Sequence, residues 1–165
     1  MTSEHLLHTI PPIYDGNSKI LILGSFPSVK SREVSFYYGH PQNRFWRVLA
    51  AVLGCAVPSS REEKTVLLQS HNIALWDVIK SCDIVGSSDS SIKNVVPNDI
   101  GAILSSCGIR QIYSNGKTSE RLFNKYIKDT VGRDTVALPS TSPANASYNL
   151  ERLTDSWSVI KNHIR

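Results

Sequence analysis

The sequence predicts an α/β fold: a three-layer α/β/α sandwich around a central, mostly parallel four-stranded sheet. Three observations carry this. Short apolar runs of strand length alternate with longer segments of helical periodicity. The runs are apolar at successive residues, as strands covered on both faces must be. The segments that follow them are rich in Gly, Pro, Asn and Ser, the residues of turns and loops.

Each element follows in turn. KILILG, residues 19–24, reads as the first buried strand, and the loop SFPSVKSREVSFYYGHP succeeds it. A helix is expected over 42–53, where Phe45, Trp46, Leu49 and Val52 recur at helical spacing. Ser60 with Glu63 matches a capping box that opens a second helix ending near Gln69. IALWDVI, 73–79, reads as the second strand, and the polar, Ser-rich stretch 80–98 as a long surface loop. A helix over 98–106 leads to the strand IRQIYS, 109–114; Asn115-Gly116 then turns into a helix over 118–128. The fourth strand, DTVALP, is followed by the loop STSPANAS and a final helix ending near His163. Neither repeat, linker nor low-complexity tract divides the chain, so residues 1–165 are read as one domain.

Composition narrows the functional classes. No apolar run approaches the roughly 20 residues of a membrane span, and MTSEHLLHTI lacks the basic start and apolar stretch of a signal peptide. A cytoplasmic monomer without membrane contact is expected. The three cysteines, Cys55, Cys82 and Cys107, are scattered and odd in number, and the five histidines do not cluster. Neither set forms a disulfide framework or ligand set, so the cysteines read as core residues and no metal or other cofactor is expected. The net charge of +4 permits contact with a polyanion without demanding it.

In open parallel sheets, ligands bind at the carboxyl ends of the strands. Those ends carry the odd segments here: SFPS after the first strand, Asp77 in the second, Asn115 after the third and STSPAN after the fourth. A site on that rim is expected on this ground alone.

The residues GSFPS, YYGHPQNRFW, LWD, SNGK and STSPAN together resemble the uracil-DNA glycosylase superfamily. HPQNRFWRVL is similar to the HPANRFWKV-type segment of the mismatch-specific uracil glycosylases, and the whole set looks most like the hypoxanthine-DNA glycosylase branch. The resemblance runs from about Ile13 to Ile160. It implies a DNA partner carrying a deaminated base, which is flipped out and cut from its sugar. Two departures stand out. Where the superfamily often places an acid or amide in its first motif this chain has Phe26, and where the second often begins with His or Asn it has Leu138. Another residue must therefore hold the water.

Asn43 is the first candidate, an amide able to place a weak nucleophile near the sugar C1′; its alternative role is to cap the helix. Asp77 interrupts an apolar strand and either orients water, balances the positive sugar, or anchors a neighbouring loop. Asn115 can accept from an imide N–H while donating to the adjacent carbonyl, a pattern shared by hypoxanthine and uracil; its alternative is a plain Asn-Gly turn. Phe26, Phe36, Tyr37 and Tyr38 supply rings for stacking, and the Ser25, Phe26, Pro27 and Ser28 loop supplies N–H groups for base carbonyls. Ser140, Thr141, Ser142, Pro143 and Asn145 form a small-residue loop suited to close approach by DNA, or else an ordinary turn and cap. Arg44 and Lys117, with Lys30, Arg32 and Lys93, are candidate phosphate contacts, and His40 is read as fixing its loop. Two competing readings stand beside this one: a uracil-preferring mismatch glycosylase, and a catalytically silent DNA- or nucleotide-binding module. Without a G-x-S-x-G elbow, a serine hydrolase is a poor fit.

Overall fold

The structure is a computed structural model that describes residues 2–165. A strand β1 (Glu4–Leu7) opens it and β2 (Ile20–Gly24) follows. The next loop holds a short helix α1 (Val29–Val34), after which come α2 (Phe45–Leu53) and α3 (Arg61–Ser70). β3 (Ile73–Asp77) is separated by one residue from β4 (Ile79–Ile84), which pairs with β5 (Lys93–Pro97). α4 (Ile100–Ser106), β6 (Gln111–Asn115), α5 (Lys117–Tyr126), α6 (Lys128–Val131), β7 (Thr135–Leu138) and α7 (Leu150–Trp157) complete the order.

The expected four-stranded sheet is present, all parallel, in the order β3-β2-β6-β7. Ile20, Leu21, Ile22 and Leu23 have no exposed surface because β2 is flanked by strands on both edges and covered on both faces. Strand alternation then sorts the layers. Ile20 and Ile22 join a core with Leu49 of α2, Leu68 of α3 and Trp157 of α7. Leu21 and Leu23 join a second core with Ile103 of α4 and Phe123 of α5. Each large side chain buried this way stabilises the fold by roughly 1.5–3 kcal/mol.

Several expectations are corrected. The stretch 80–98 is not a plain loop: β4 and β5 pair there, and with β1 they build a separate antiparallel sheet, β1-β4-β5. Register shifts between β4 and β5 break the simple two-residue alternation that marks a half-buried strand. The apolar run 73–79 is two strands, divided at Val78, because the chain leaves the parallel sheet there. The loop after β2 contains α1, capped by Ser28, whose Oγ accepts from the Ser31 N–H at 3.1 Å. The next helix starts at Phe45 rather than Gln42. The last helix ends at Trp157 and gives way to a 3₁₀ turn, Ser158–Asn162. At Ser60 half of the capping box forms: its Oγ accepts from the Glu63 N–H at 3.0 Å, while the Glu63 carboxylate turns to the Ser59 hydroxyl at 3.2 Å. Of the cysteines only Cys82 is a buried core residue; Cys55 is exposed and Cys107 half-buried.

Candidate active site

A cavity of about 400 Å³ opens at the carboxyl ends of the parallel strands, a volume within the roughly 300–1,000 Å³ of small-molecule sites. Its wall takes in Ser25, Phe26, Pro27 and Ser28 after β2, Asp77 at the end of β3, Asn115 at the end of β6, and Ser140, Thr141 and Ser142 after β7. Asn43, Tyr38 and Lys117 reach it as well, and Ser87, Ser88 and Asp89 of the β4–β5 connection close one side. The rim expected from the topology is thus a single concave site.

On one side stands Asp77, buried and in register with Gly24. Its Oδ2 is 2.7 Å from Nε2 of His8, whose side chain is 1% exposed. Oδ1 has no hydrogen-bond partner among the described residues, which leaves it as an acceptor in the cavity wall. The strand end itself is held by the buried Asn98, whose amide donates to the carbonyls of Asp77 and Ile79 at 2.9 and 3.1 Å. Gly24 is required by close approach: a Cβ there would lie 2.4 Å from Asp77 Oδ1 and 3.0 Å from Tyr38 Oη.

Tyr38 adopts a left-handed backbone, φ 52°, and stacks on Phe45 with ring centroids 4.0 Å apart. Its hydroxyl is buried without a hydrogen-bond partner among the described residues. Burial, and then the Asp77 carboxylate, push its pKa up, so it is a neutral O–H; the Asn115 amide acts the other way without meeting hydrogen-bond geometry. A buried O–H left unpaired costs on the order of 1–3 kcal/mol.

The opposite side is a chain of neutral groups centred on Thr141, which is fully buried. Asn115 Nδ2 donates to Thr141 Oγ1 at 3.0 Å, and the Thr141 hydroxyl donates to Asn43 Oδ1 at 2.9 Å. The Thr141 N–H donates back to Asn115 Oδ1 at 3.1 Å, and the Phe45 N–H to Asn43 Oδ1 at 2.9 Å. Backbone donors thus fix which atom of each amide is oxygen. Asn43 precedes Arg44, the N-cap of α2, and accepts the first helical N–H, that of Phe45, rather than capping the helix itself; with two bonds already on Oδ1 it faces the cavity as an N–H donor. Asn115 keeps one N–H and one lone pair free.

Other expected site residues are placed elsewhere. Phe36 does not line the cavity: it stacks on Trp46 under the cations of Arg61 and Lys64. Arg44 is a loop staple, donating to the carbonyls of Thr141, Ser142, Asn145 and Tyr148, so its guanidinium is spent on backbone. Asn145 braces the same loop through Nδ2 to the Ser140 carbonyl at 3.0 Å, and Pro143 lies beside it, outside the cavity wall. His40 accepts from the Gln42 N–H at 3.1 Å and does fix its loop. Lys117 begins α5 beside the cavity, behind Gly116, where a φ of +94° and a Ser140 Cβ 3.1 Å from any added Cβ would strain a side chain. His8 and Asn98 were not singled out from the sequence. Each bonds a residue at least 19 positions away, and no local pattern announces such a partner. Among the described residues no three His, Cys, Asp or Glu side chains gather as a metal site.

The comparisons with known proteins agree with this geometry. Two curated relatives are each named hypoxanthine DNA glycosylase. The one from Methanosarcina acetivorans is 34% identical over 93% of this chain and 96% of its own length. The one from Methanosarcina barkeri is 35% identical over 90% and 93%. The solution NMR structure of a candidate uracil DNA glycosylase from Methanosarcina acetivorans superposes with a TM-score of 0.79. It is 33% identical and covers 92% of this chain and 94% of its own. The family profile described as the uracil DNA glycosylase superfamily matches residues 11–161, and with relatives a third identical along nearly their whole length, the chain belongs to that superfamily.

Proposed function

We propose that the chain is a monofunctional DNA glycosylase that hydrolyses the N-glycosidic bond of a deaminated base, hypoxanthine in the first place. One observation carries the reading: a cavity at the strand ends sets a carboxylate oxygen without a partner among the described residues, Asp77 Oδ1, among amide donors of Asn43 and Asn115. That combination suits dissociative hydrolysis. As the C1′–N bond breaks, its electron pair leaves with the base and positive charge grows on the sugar. Asp77 balances that charge and accepts a hydrogen bond from water, while the Asn43 N–H orients the same water. The water oxygen bonds to C1′, and its proton ends on the departing base. Asn115 reads the imide edge with its free N–H and lone pair. Phe26 and Tyr38 flank the base, and N–H groups of the loop Ser25 to Ser28 meet its carbonyls.

The names of the two relatives support hypoxanthine. The description of the solved neighbour favours uracil as the second reading, since the same imide edge fits both. Lys117 and the small residues Ser140, Thr141 and Ser142 serve the DNA backbone. The reading takes residues 1–165 as a single domain acting as a cytoplasmic monomer. Among the described residues no helix is long and apolar enough to cross a membrane. Purified protein is incubated with duplexes holding inosine, uracil or no lesion, then treated with alkali. Strand breaks at inosine are expected; breaks at uracil alone reverse the preference, and binding without breaks sinks the enzymatic reading.

A further inference from the structure

The parallel sheet does not supply every group at the cavity. His8 enters from the chain that follows β1, a strand of the other sheet. Its backbone N–H donates to the Lys80 carbonyl at 2.7 Å, which anchors it to β4 just past the point where the chain leaves Asp77. The ring is clamped on three sides: by Phe26 at 6.1 Å and Trp76 at 6.5 Å, both edge-on, and by Tyr37 at 6.2 Å. Among the described residues the only polar partner of its Nε2 is Asp77 Oδ2, at 2.7 Å.

A carboxylate turns freely about its last bond unless something holds one oxygen. Here one oxygen is held from behind by a buried imidazole, and the other is left beside Gly24 and Tyr38 Oη, against the cavity. Phe26 lines the cavity and meets the His8 ring edge-on, while His8 itself is not part of the cavity wall. The structure assigns His8 as a positioning residue that pins the Asp77 carboxylate with Oδ1 turned to the cavity, so that the N-terminal strand completes the active site. This rests on the reading of Asp77 as a catalytic group.

Single-turnover excision from inosine-containing duplex tests it. His8→Phe keeps the aromatic volume but cannot bond the carboxylate, and a loss of roughly 10- to 100-fold in rate is expected, the scale of losing a partner that orients a reacting group. Affinity for the duplex is expected to stay within about twofold, because the hydrogen bond acts on chemistry rather than on DNA contact. His8→Gln restores a donor and is expected to recover most of the rate. In an Asp77→Asn background, His8→Phe is expected to add less than about twofold, because the two act through one interaction. His8→Leu repeats the measurement if the phenylalanine variant does not fold. A His8→Phe rate within about threefold of the unsubstituted protein, a glutamine variant no better than phenylalanine, or multiplying effects of the His8 and Asp77 changes would each overturn the assignment. Full activity in Asp77→Asn alone would instead remove the catalytic reading of Asp77, and with it the reason for the pin.

Discussion

The two sides of the cavity are built on opposite principles. On the β2–β3 side an acid is buried and paired through one oxygen to a histidine from the segment that follows β1, with a glycine and a tyrosyl hydroxyl pressed against the other. On the β6–β7 side the hydrogen-bonded groups are neutral, and two amides are tied through one threonine. The difference is one of reserve. The charged side offers a single acceptor and depends on one contact to aim it. The neutral side offers N–H donors, and backbone bonds that any side-chain change leaves standing hold its amides. The first is the place for charge balance at the sugar, the second for reading and orienting.

Removing the charge from the first side is the most severe test. Asp77→Asn keeps the shape, and a fall of roughly 100- to 1,000-fold in single-turnover rate is expected with little change in duplex affinity. An equal loss in affinity would mean that Asp77 binds rather than reacts. Cutting the tie on the other side comes next. Thr141→Val removes the hydroxyl bonded to both Asn43 and Asn115; about 2–3 kcal/mol of stability should be lost in urea titration, with roughly a tenfold slower excision. If the rate falls as far as in Asp77→Asn, the two sides are not distinct. Arg44→Met should cost about 2–3 kcal/mol, since its donors hold backbone carbonyls, while the slope of affinity against salt stays unchanged. Lys117→Ala is the smallest change: unaltered stability and a salt slope reduced by about one. A salt slope altered by Arg44→Met would restore the phosphate contact that its hydrogen bonds argue against.

How much of this was legible in the sequence divides along the same line. The amides Asn43 and Asn115 and the loop around Thr141 stand out locally, because each follows or precedes an element with a clear period. Asp77 stands out as a charge that interrupts an apolar run. The partner that makes Asp77 bearable does not: His8 lies 69 residues away, in a segment without helical or strand period of its own. Arg44 and Phe36 read one way in the sequence and sit another way in the fold for a related reason. A cation beside HPQN and a ring beside YYG fit DNA contacts as well as they fit a loop staple and a core edge.

By itself, then, the sequence determined the parallel sheet, its covering helices and the rim on which the site lies. Those follow from apolar runs and helical spacing, which are local consequences of burial on two faces or on one. Tertiary structure alone decided the antiparallel sheet, the His8–Asp77 pair and the duties of Arg44. Each depends on which distant backbone carbonyl or carboxylate lies within about 3 Å, and a hydrogen bond at that range leaves no trace in the residues on either side of it.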